Sequence, residues 1–335
     1  MIKNLKNTEM KKIYIVLFTV LSFGLFAQDA HLTQFDAMRV RLNPAETGMF
    51  QDADFRAGTQ YRNQWGSMAT KYSTSVIAYD MPLGKSGAAQ SRWGVGGYMV
   101  NDDAAKAYNV FSFVVGGAYQ VTTPNDKYLL SVGLQAGMIY KNIKDDNMIF
   151  DNQWSDGTFD SDRPTGENFS NDYKIMPEVV LGVYYKGIDK NKKVNPYAGL
   201  SFFHITNPTE SFMGMKESKL PLRYQLNIGT TYKINDKVML DPGVFAQYQR
   251  NVYEINAGLR GYYRFNDIVK LNAGGYYRID DAAIILLGLS YKNIDFNMTY
   301  DINTSKLKQY TNGKGAFEFS LVFRGSMSQV FNTLL

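Results

Sequence analysis

Cysteine is absent from this sequence of 335 residues, and histidine occurs only as His31 and His204. Without cysteine there is no disulfide, no thiolate metal site and no cysteine nucleophile. The one set of residues suggestive of a hydrolase is His204 with nearby Ser201 and Asn207, and no further residue is placed to orient the base. We therefore predict a protein that is not an enzyme, and we assign no catalytic, cofactor-binding or metal-binding residue.

Long hydrophobic runs are also missing, apart from the stretch Ile13 to Phe26 near the start. Four lysines precede this stretch and Ala27 follows it, which is typical of a secretory signal peptide. The run is shorter than the roughly 20 apolar residues that a membrane-spanning helix needs. We predict that residues 1–27 are a signal peptide and that the remainder is exported.

Excess charge is small. The formal net charge is +5, and the lysines of the predicted signal peptide contribute much of it. The exported part is close to neutral and contains no basic patch of the kind that binds nucleic acid. We expect no nucleic-acid partner.

Aromatic residues and glycine are abundant, with 24 Tyr, 21 Phe and 29 Gly. Many stretches alternate apolar and polar residues, and two examples are 222–233 and 293–301. Such alternation indicates strands with one face in an apolar and the other in a polar environment. A soluble sandwich has the same period, but the aromatic content favours a barrel with girdles at the membrane interfaces. The predicted fold is an all-β, transmembrane antiparallel β-barrel in contact with the lipid bilayer.

About fourteen strands can be read from the alternation and the turn residues. They are 54–63, 71–81, 92–101, 107–120, 127–140, 174–186, 194–204, 222–233, 237–248, 253–265, 268–278, 282–291, 293–301 and 315–324. An even count puts both ends of a barrel on one side, with short periplasmic turns and longer external loops. We expect a barrel over 54–324 in the outer membrane, a C-terminal periplasmic tail at 325–335, and both termini in the periplasm.

Residues 28–53 contain no predicted strand. The strand at 282–291 has apolar residues on both faces, which suggests that the lumen beside it is dry or packed by another segment. Residues 28–53 are the natural candidate for that segment. They are expected either to plug the lumen or to face the periplasm beneath it.

The connection 141–173 is acidic and also carries aromatic residues. Its carboxylates are typical of a solvated loop, although oxygen ligands of this kind can also bind calcium. Aromatic residues in a polar loop often anchor a partner. We predict a partner-binding role for Trp154, Phe150, Phe159 and Phe169, and for Phe212 in the connection 205–221.

Four arginines, Arg223, Arg260, Arg264 and Arg278, are predicted to face the lumen. They could select anions, or they could pair with acidic residues such as Glu254, Glu318 and Asp301 and brace the interior. A dry lumen favours the second interpretation, because buried charges need partners. We therefore predict a structural charge network.

Several short motifs lie in order along the chain. They are Gln34-Phe35, Leu42-Asn43-Pro44-Ala45 with Gly48, Tyr61-Arg62-Asn63-Gln64-Trp65, Phe150-Asp151-Asn152-Gln153, Pro196-Tyr197-Ala198-Gly199, His204-Ile205-Thr206-Asn207-Pro208, Tyr300-Asp301-Ile302-Asn303 and Gly315-Ala316-Phe317-Glu318. Together they resemble the PorP/SprF family, outer-membrane proteins associated with the type IX secretion system. No single motif is specific, but the order and spacing are similar throughout.

The resemblance implies a role in secretion or surface attachment of particular cargo, notably gliding adhesins, whose C-terminal domain would be the bound partner. It also implies contact with periplasmic or outer-membrane secretion components. A passive uptake channel for a small or hydrophobic solute is the alternative, and a stable open pore would favour it.

Overall fold

The computed structural model describes residues 29, 31–66, 71–84, 91–105, 107–123, 127–144, 150–155, 158–166, 172–189, 192–212 and 218–326. Fourteen long strands make up most of this part of the chain. They are β1 (Phe55–Gln64), β2 (Tyr72–Leu83), β3 (Ser91–Ala104), β4 (Tyr108–Thr122), β5 (Tyr128–Ile143), β6 (Tyr173–Gly187), β7 (Val194–Phe203), β8 (Arg223–Lys233), β9 (Val238–Gln249), β10 (Val252–Arg264), β11 (Val269–Arg278), β12 (Ala282–Tyr291), β13 (Ile294–Asn303) and β14 (Lys314–Gly325).

The strands form one closed antiparallel barrel in which each pairs with its neighbours in sequence. Closure is made by β1 and β14, whose register runs from Phe55 opposite Gly325 to Gln64 opposite Ala316. Closure leaves no unpaired strand edge, which a lipid environment would not tolerate. The predicted barrel of fourteen strands is confirmed, and each observed strand overlaps the range predicted for it.

The alternation in the sequence separates the two faces of the wall. On β8, Tyr224, Leu226 and Ile228 point outward and are exposed, whereas Arg223, Gln225 and Asn227 are buried in the lumen. Large apolar side chains are exposed along the exterior, for example Leu130, Val132 and Leu134 on β5, as expected for a wall in contact with lipid.

The two ends of the barrel differ in their connections. The longest connections, 144–172, 204–222 and 304–313, all lie at one end, which we call the loop end. They hold a hairpin of two-residue strands, Trp154–Ser155 and Thr158–Phe159, and the helix α2 (Lys308–Thr311). The opposite end, called the turn end, carries short connections and both chain ends of the barrel.

Residues 29 and 31–53, called the plug, occupy the lumen instead of extending the wall. They include a single helical turn, α1 (Arg39–Leu42), which was not predicted, and a short 3₁₀ turn at Pro44–Glu46. The Asn43 side chain accepts a hydrogen bond from the Ala45 N–H at 2.9 Å and caps the second turn. The chain runs from Asp29 at the loop end to Phe50 near the turn end, where β1 begins.

No helix in the described ranges is long and apolar enough to cross a membrane. The predicted signal peptide, the prediction that the N-terminus is periplasmic, and most of the predicted C-terminal tail concern residues 1–28 and 327–335. These residues lie outside the described part of the chain.

Candidate functional site: the plug and the two lumen cavities

Four glutamines from four strands hold the backbone of the plug. A segment that belongs to no sheet leaves its backbone polar groups without ladder partners, and buried carbonyls need donors. The glutamine Nε2 atoms supply them, at 3.0, 2.8, 2.5 and 2.9 Å from the carbonyls of Gln34, Val40, Leu42 and Thr47. The donors are Gln60 on β1, Gln135 on β5, Gln225 on β8 and Gln120 on β4. The plug is therefore bound to the wall around much of its circumference.

An apolar patch complements these hydrogen bonds on one side of the lumen. Leu32, Met38 and Val40 of the plug pack with inward residues of β2, β3, β4 and β14. Val76 and Val114 of this patch are completely buried. Burying an aliphatic side chain of this size contributes roughly 1.5–3 kcal/mol. The plug thus has a hydrophobic core of its own with one sector of the wall.

Two wall glycines let the plug backbone come close. A Cβ on Gly133 of β5 would lie 2.3 Å from the carbonyl carbon of Pro44, and one on Gly94 of β3 would lie 2.1 Å from the carbonyl oxygen of Thr47. Both are far below van der Waals contact. A side chain at either position would collide with the plug.

A buried charge cluster joins the plug to β1, β11, β13 and β14. Arg62 forms ion pairs with Asp301 at 3.0 Å and Glu318 at 3.2 Å, and Arg278 pairs with Asp301 at 3.2 Å. The Thr33 hydroxyl donates to the Asp301 carboxylate at 2.9 Å. Because every charge in the cluster has an opposite partner, burial is tolerated.

His31 lies against this cluster, with its Nε2 atom 3.2 Å from Arg278 Nη1 and 3.5 Å from Arg62 Nη2. Burial, together with the positive charges of Arg278 and Arg62, holds the pKa of His31 well below its usual value. The ring is therefore neutral, and its Nε2 atom can accept hydrogen bonds from the guanidinium groups.

A second charge cluster fixes the start of the plug at the loop end. The His204 ring lies between two carboxylates, with Nδ1 at 2.5 Å from Glu178 and Nε2 at 2.6 Å from Asp29. Arg223 also pairs with Asp29, at 3.0 Å. Burial acts to lower the pKa of His204, but the charges of Asp29 and Glu178 outweigh it and raise the pKa. Burial acts to raise the pKa of Asp29, but the positive charges of His204 and Arg223 outweigh this effect and lower the pKa.

The arginines predicted to face the lumen have different partners. Arg278 lies 3.3 Å from Glu254 and also pairs with Asp281. Arg223 and Arg260, however, find their carboxylates in the plug, at Asp29 and Asp36, rather than on the wall. Arg264 lies at the end of β10, where it lines a cavity. Glu318 is fully buried and contacts both Arg62 and the plug.

The aromatic residues predicted to bind a partner are only partly brought together. Trp154 and Phe159 face each other across the small hairpin, with ring centroids 5.8 Å apart, and both are exposed. Phe150 begins the 3₁₀ turn Asp151–Gln153 just before that hairpin. Phe212 instead packs edge-on against Tyr108 of β4, at 6.3 Å. Phe169 lies outside the described residues.

Two cavities lie in the lumen on either side of the plug. One of about 100 Å³ lies at the loop end beside Asp29, His204 and Arg223, with apolar walls that include Val114 and Phe203. The other, of about 410 Å³, lies at the turn end beneath Asp36 and Arg39. Both are concave and contain charged groups, so each is a candidate binding site.

Several of these residues were missed by the sequence analysis. The four glutamines occupy inward positions in strands whose residues alternate between apolar and polar. This placement could have identified them as partners of a segment that is not a strand. Arg62 lies within one of the motifs, but the motif alone did not indicate a buried ion pair. Among the described residues, no group of three or more His, Asp or Glu is placed to hold a metal ion. The acidic connection includes Asp145, Asp146, Asp156 and Glu167, which fall outside those residues.

Comparison with known proteins gives one family. The family model described as "Type IX secretion system membrane protein PorP/SprF" matches residues 25–323. None of the curated proteins matches the sequence.

Solved structures share the barrel fold. The toluene transporter TbuX of Ralstonia pickettii aligns with a TM-score of 0.52 at 13% identity, covering 85% of this chain and 93% of the transporter. CymD, a monoaromatic hydrocarbon channel, aligns with a TM-score of 0.51 at 11% identity, covering 87% of this chain and 93% of the channel. At such identities the likeness concerns the fold alone.

Proposed function

Because the chain belongs to the PorP/SprF family of type IX secretion system membrane proteins, we propose that it supports secretion or surface attachment of a specific cargo. In this proposal the loop end binds the C-terminal domain of that cargo, such as a gliding adhesin. The protein performs no chemical step and acts as an outer-membrane binding component.

The observation that carries this proposal is the filled lumen. Glutamines from four strands, two charge clusters and an apolar patch fix the plug across the barrel. A lumen occupied in this way is better suited to a protein that works through its surface than to an open conduit. The lumen charges then serve as braces for the plug and the wall.

The binding surface that we propose is centred on the small loop-end hairpin. Trp154 and Phe159 are 51% and 42% exposed although both are large and apolar. They stand on a connection away from the lipid-facing wall, so lipid contact does not account for their exposure. Aromatic residues of this kind commonly anchor protein interfaces.

We also propose the membrane orientation. The turn end would face the periplasm, since short turns are periplasmic and long loops external in bacterial barrels. Residues 1–27 would be removed on export. Contacts with periplasmic secretion components would then form at the turn end.

The test is replacement of the exposed pair, Trp154→Ser with Phe159→Ser, in the native host. We expect the barrel to remain in the outer membrane while cargo attachment to the cell surface falls. The control is Phe265→Ser, which removes an aromatic at the turn end that is more exposed than either residue of the pair. Unchanged cargo display with the double variant would refute a binding role for the hairpin.

A second candidate function is passive uptake of a small or hydrophobic solute. The loop-end cavity favours it, because Val100, Val110, Val114, Ile139, Phe203 and Leu220 contribute apolar wall. Two proteins of the same fold are described as a toluene transporter and a monoaromatic hydrocarbon channel. Conductance of the purified protein in a planar bilayer, and toluene entry into proteoliposomes, separate the two functions. A stable open pore or rapid toluene entry would favour uptake.

A further inference from the structure

The turn-end cavity is a vestibule enclosed by the barrel wall. It is lined by residues of β8 to β14, by the turn between β8 and β9 and by Arg56 of β1, and the plug closes it on the inner side at Asp36, Ala37 and Arg39. Because the wall surrounds it, bilayer lipid does not border it. Its ligands would come from the aqueous side.

The lining is strongly basic. Eight Lys or Arg side chains line the cavity and only three Asp side chains do so, which leaves a formal excess of five positive charges. Uncharged polar groups, among them Asn272 and Ser290, complete the wall. A concave surface of one charge sign focuses the field and attracts ligands of the opposite sign.

Half of the cations are already neutralised. Arg56 makes a double contact with Asp80, and Arg324 pairs with Asp295. Arg260 pairs with Asp36, and Arg39 pairs with Glu46 as well as with Asp36. These pairs account for the arginines near the plug and the first and last strands of the wall.

The other four cations are Lys233, Lys237, Arg264 and Lys270, and all four are exposed. In the described ranges, no carboxylate lies within 4.0 Å of any of them. They stand at the rim of the vestibule, free to meet an anionic ligand.

The spacing of these four residues indicates the shape of the ligand. They lie on β8, just before β9, at the end of β10 and near the start of β11, which are four successive strands. At about 4.8 Å between neighbouring strands, they span roughly 14 Å of the rim. A single phosphate cannot reach all four, whereas an extended peptide with a rise of about 3.3 Å per residue covers the distance in four to five residues.

We propose that the vestibule is a docking site for an acidic, extended peptide segment of a partner protein. The carboxylates of that segment pair with Lys233, Lys237, Arg264 and Lys270, and its backbone meets the polar wall. This site lies at the opposite end of the barrel from the proposed cargo surface. An experiment can therefore disprove the docking proposal without affecting the cargo-binding proposal, and the reverse also holds.

The test measures binding of a fluorescein-labelled octapeptide of alternating Glu and Ser to the purified full-length barrel in neutral detergent. Fluorescence anisotropy should show binding that weakens as salt is raised, because exposed ion pairs are screened. Replacing the four free cations (K233Q, K237Q, R264Q and K270Q) should weaken binding about tenfold or more, consistent with the loss of four exposed ion pairs.

The matched control removes four exposed lysines at the loop end, Lys144, Lys219, Lys306 and Lys308, by replacement with Gln. It changes the net charge equally and should leave peptide affinity unchanged. Equal weakening by both quadruple variants would overturn the proposal, because attraction would then depend on net charge. Binding of an octapeptide with Gln in place of Glu, or full displacement by millimolar inorganic phosphate, would also overturn it, the latter in favour of a small-anion site.

Discussion

Glu318 on β14 accepts hydrogen bonds from the backbone of the plug at Gln34, whose N–H lies 2.7 Å from Oε1. The second oxygen, Oε2, accepts from the N–H of Thr33 at 2.8 Å. One fully buried carboxylate thus accepts from the N–H groups of two successive residues in a segment that belongs to no strand. It is also paired with Arg62, so it joins plug and wall in a single network.

Replacing Glu318 with Gln should release the start of the plug. The change leaves Arg62 with one carboxylate fewer and turns an acceptor of two N–H bonds into a group with a single acceptor oxygen. Removing one partner of a buried ion pair costs about 3–5 kcal/mol. We expect faster tryptic cleavage at Arg39 and Arg41 in the solubilised barrel, measured by mass spectrometry of the released fragments.

Asp295→Asn is the control for that experiment. Its partner Arg324 is one-third exposed, so the ion pair should contribute only about 0–1 kcal/mol. Equal cleavage rates in the wild type and the Glu318→Gln variant would show that the carboxylate does not hold the plug.

The attachment of Asp29 should depend on pH. The folded pKa of His204 is raised, so the stabilisation from its pairing with Asp29 and Glu178 is complete below the unfolded pKa and is lost as pH rises through the folded pKa. The pKa of Asp29 is lowered, so its contribution is present above the unfolded value and is lost as pH falls. The anchor is therefore strongest in mildly acidic solution.

Thermal unfolding of the purified barrel at pH 6 and pH 9 tests this dependence. The wild type should lose more stability between the two pH values than the variant His204→Gln, which cannot be protonated. The same loss in both proteins would assign the pH effect to other groups.

The wall could be predicted from the sequence because its pattern is local. Alternation with a period of two assigns each residue of a strand to one face, and the turn residues mark where each strand ends. Arg223, Arg260 and Glu318 follow this pattern, and all three are buried. A sheet of fourteen such strands avoids an unpaired edge in lipid only if its first and last strands pair and close it into a barrel.

The contacts inside the lumen could not be predicted in the same way. The plug has no periodicity that fixes which of its residues meets a given wall position, so Asp29 and Asp36 were not identified as partners of Arg223 and Arg260. Its path depends on close approaches such as that at Gly133 and on glutamines from strands distant in sequence. Such contacts follow from three-dimensional packing and not from local pattern.

Gly133→Val should displace the plug while the wall stays folded. The new Cβ meets the plug backbone at Pro44 and Ala45, and valine is otherwise favourable in a strand. We expect increased ion conductance in a planar bilayer, with the folded barrel still migrating apart from the heat-denatured form on a gel. Gly275→Val is the matched control, since its Cβ has nothing closer than 3.9 Å. Conductance that stays at the wild-type level would show that the plug tolerates the side chain.

A charge placed on the outer wall should reveal where lipid lies. Leu287, near the middle of β12, is 61% exposed, whereas its neighbour Leu286 is buried in the lumen. If the exterior faces hydrocarbon, Leu287→Arg should destabilise the barrel by about 2–4 kcal/mol in lipid vesicles, as expected near the bilayer midplane. The control is Tyr253→Arg, which is equally exposed but lies at the loop-end edge of β10, where the cost should be about 0–1 kcal/mol. Urea unfolding in the same vesicles measures both. Equal costs at the two positions would mean that the middle of β12 does not lie in the hydrocarbon layer.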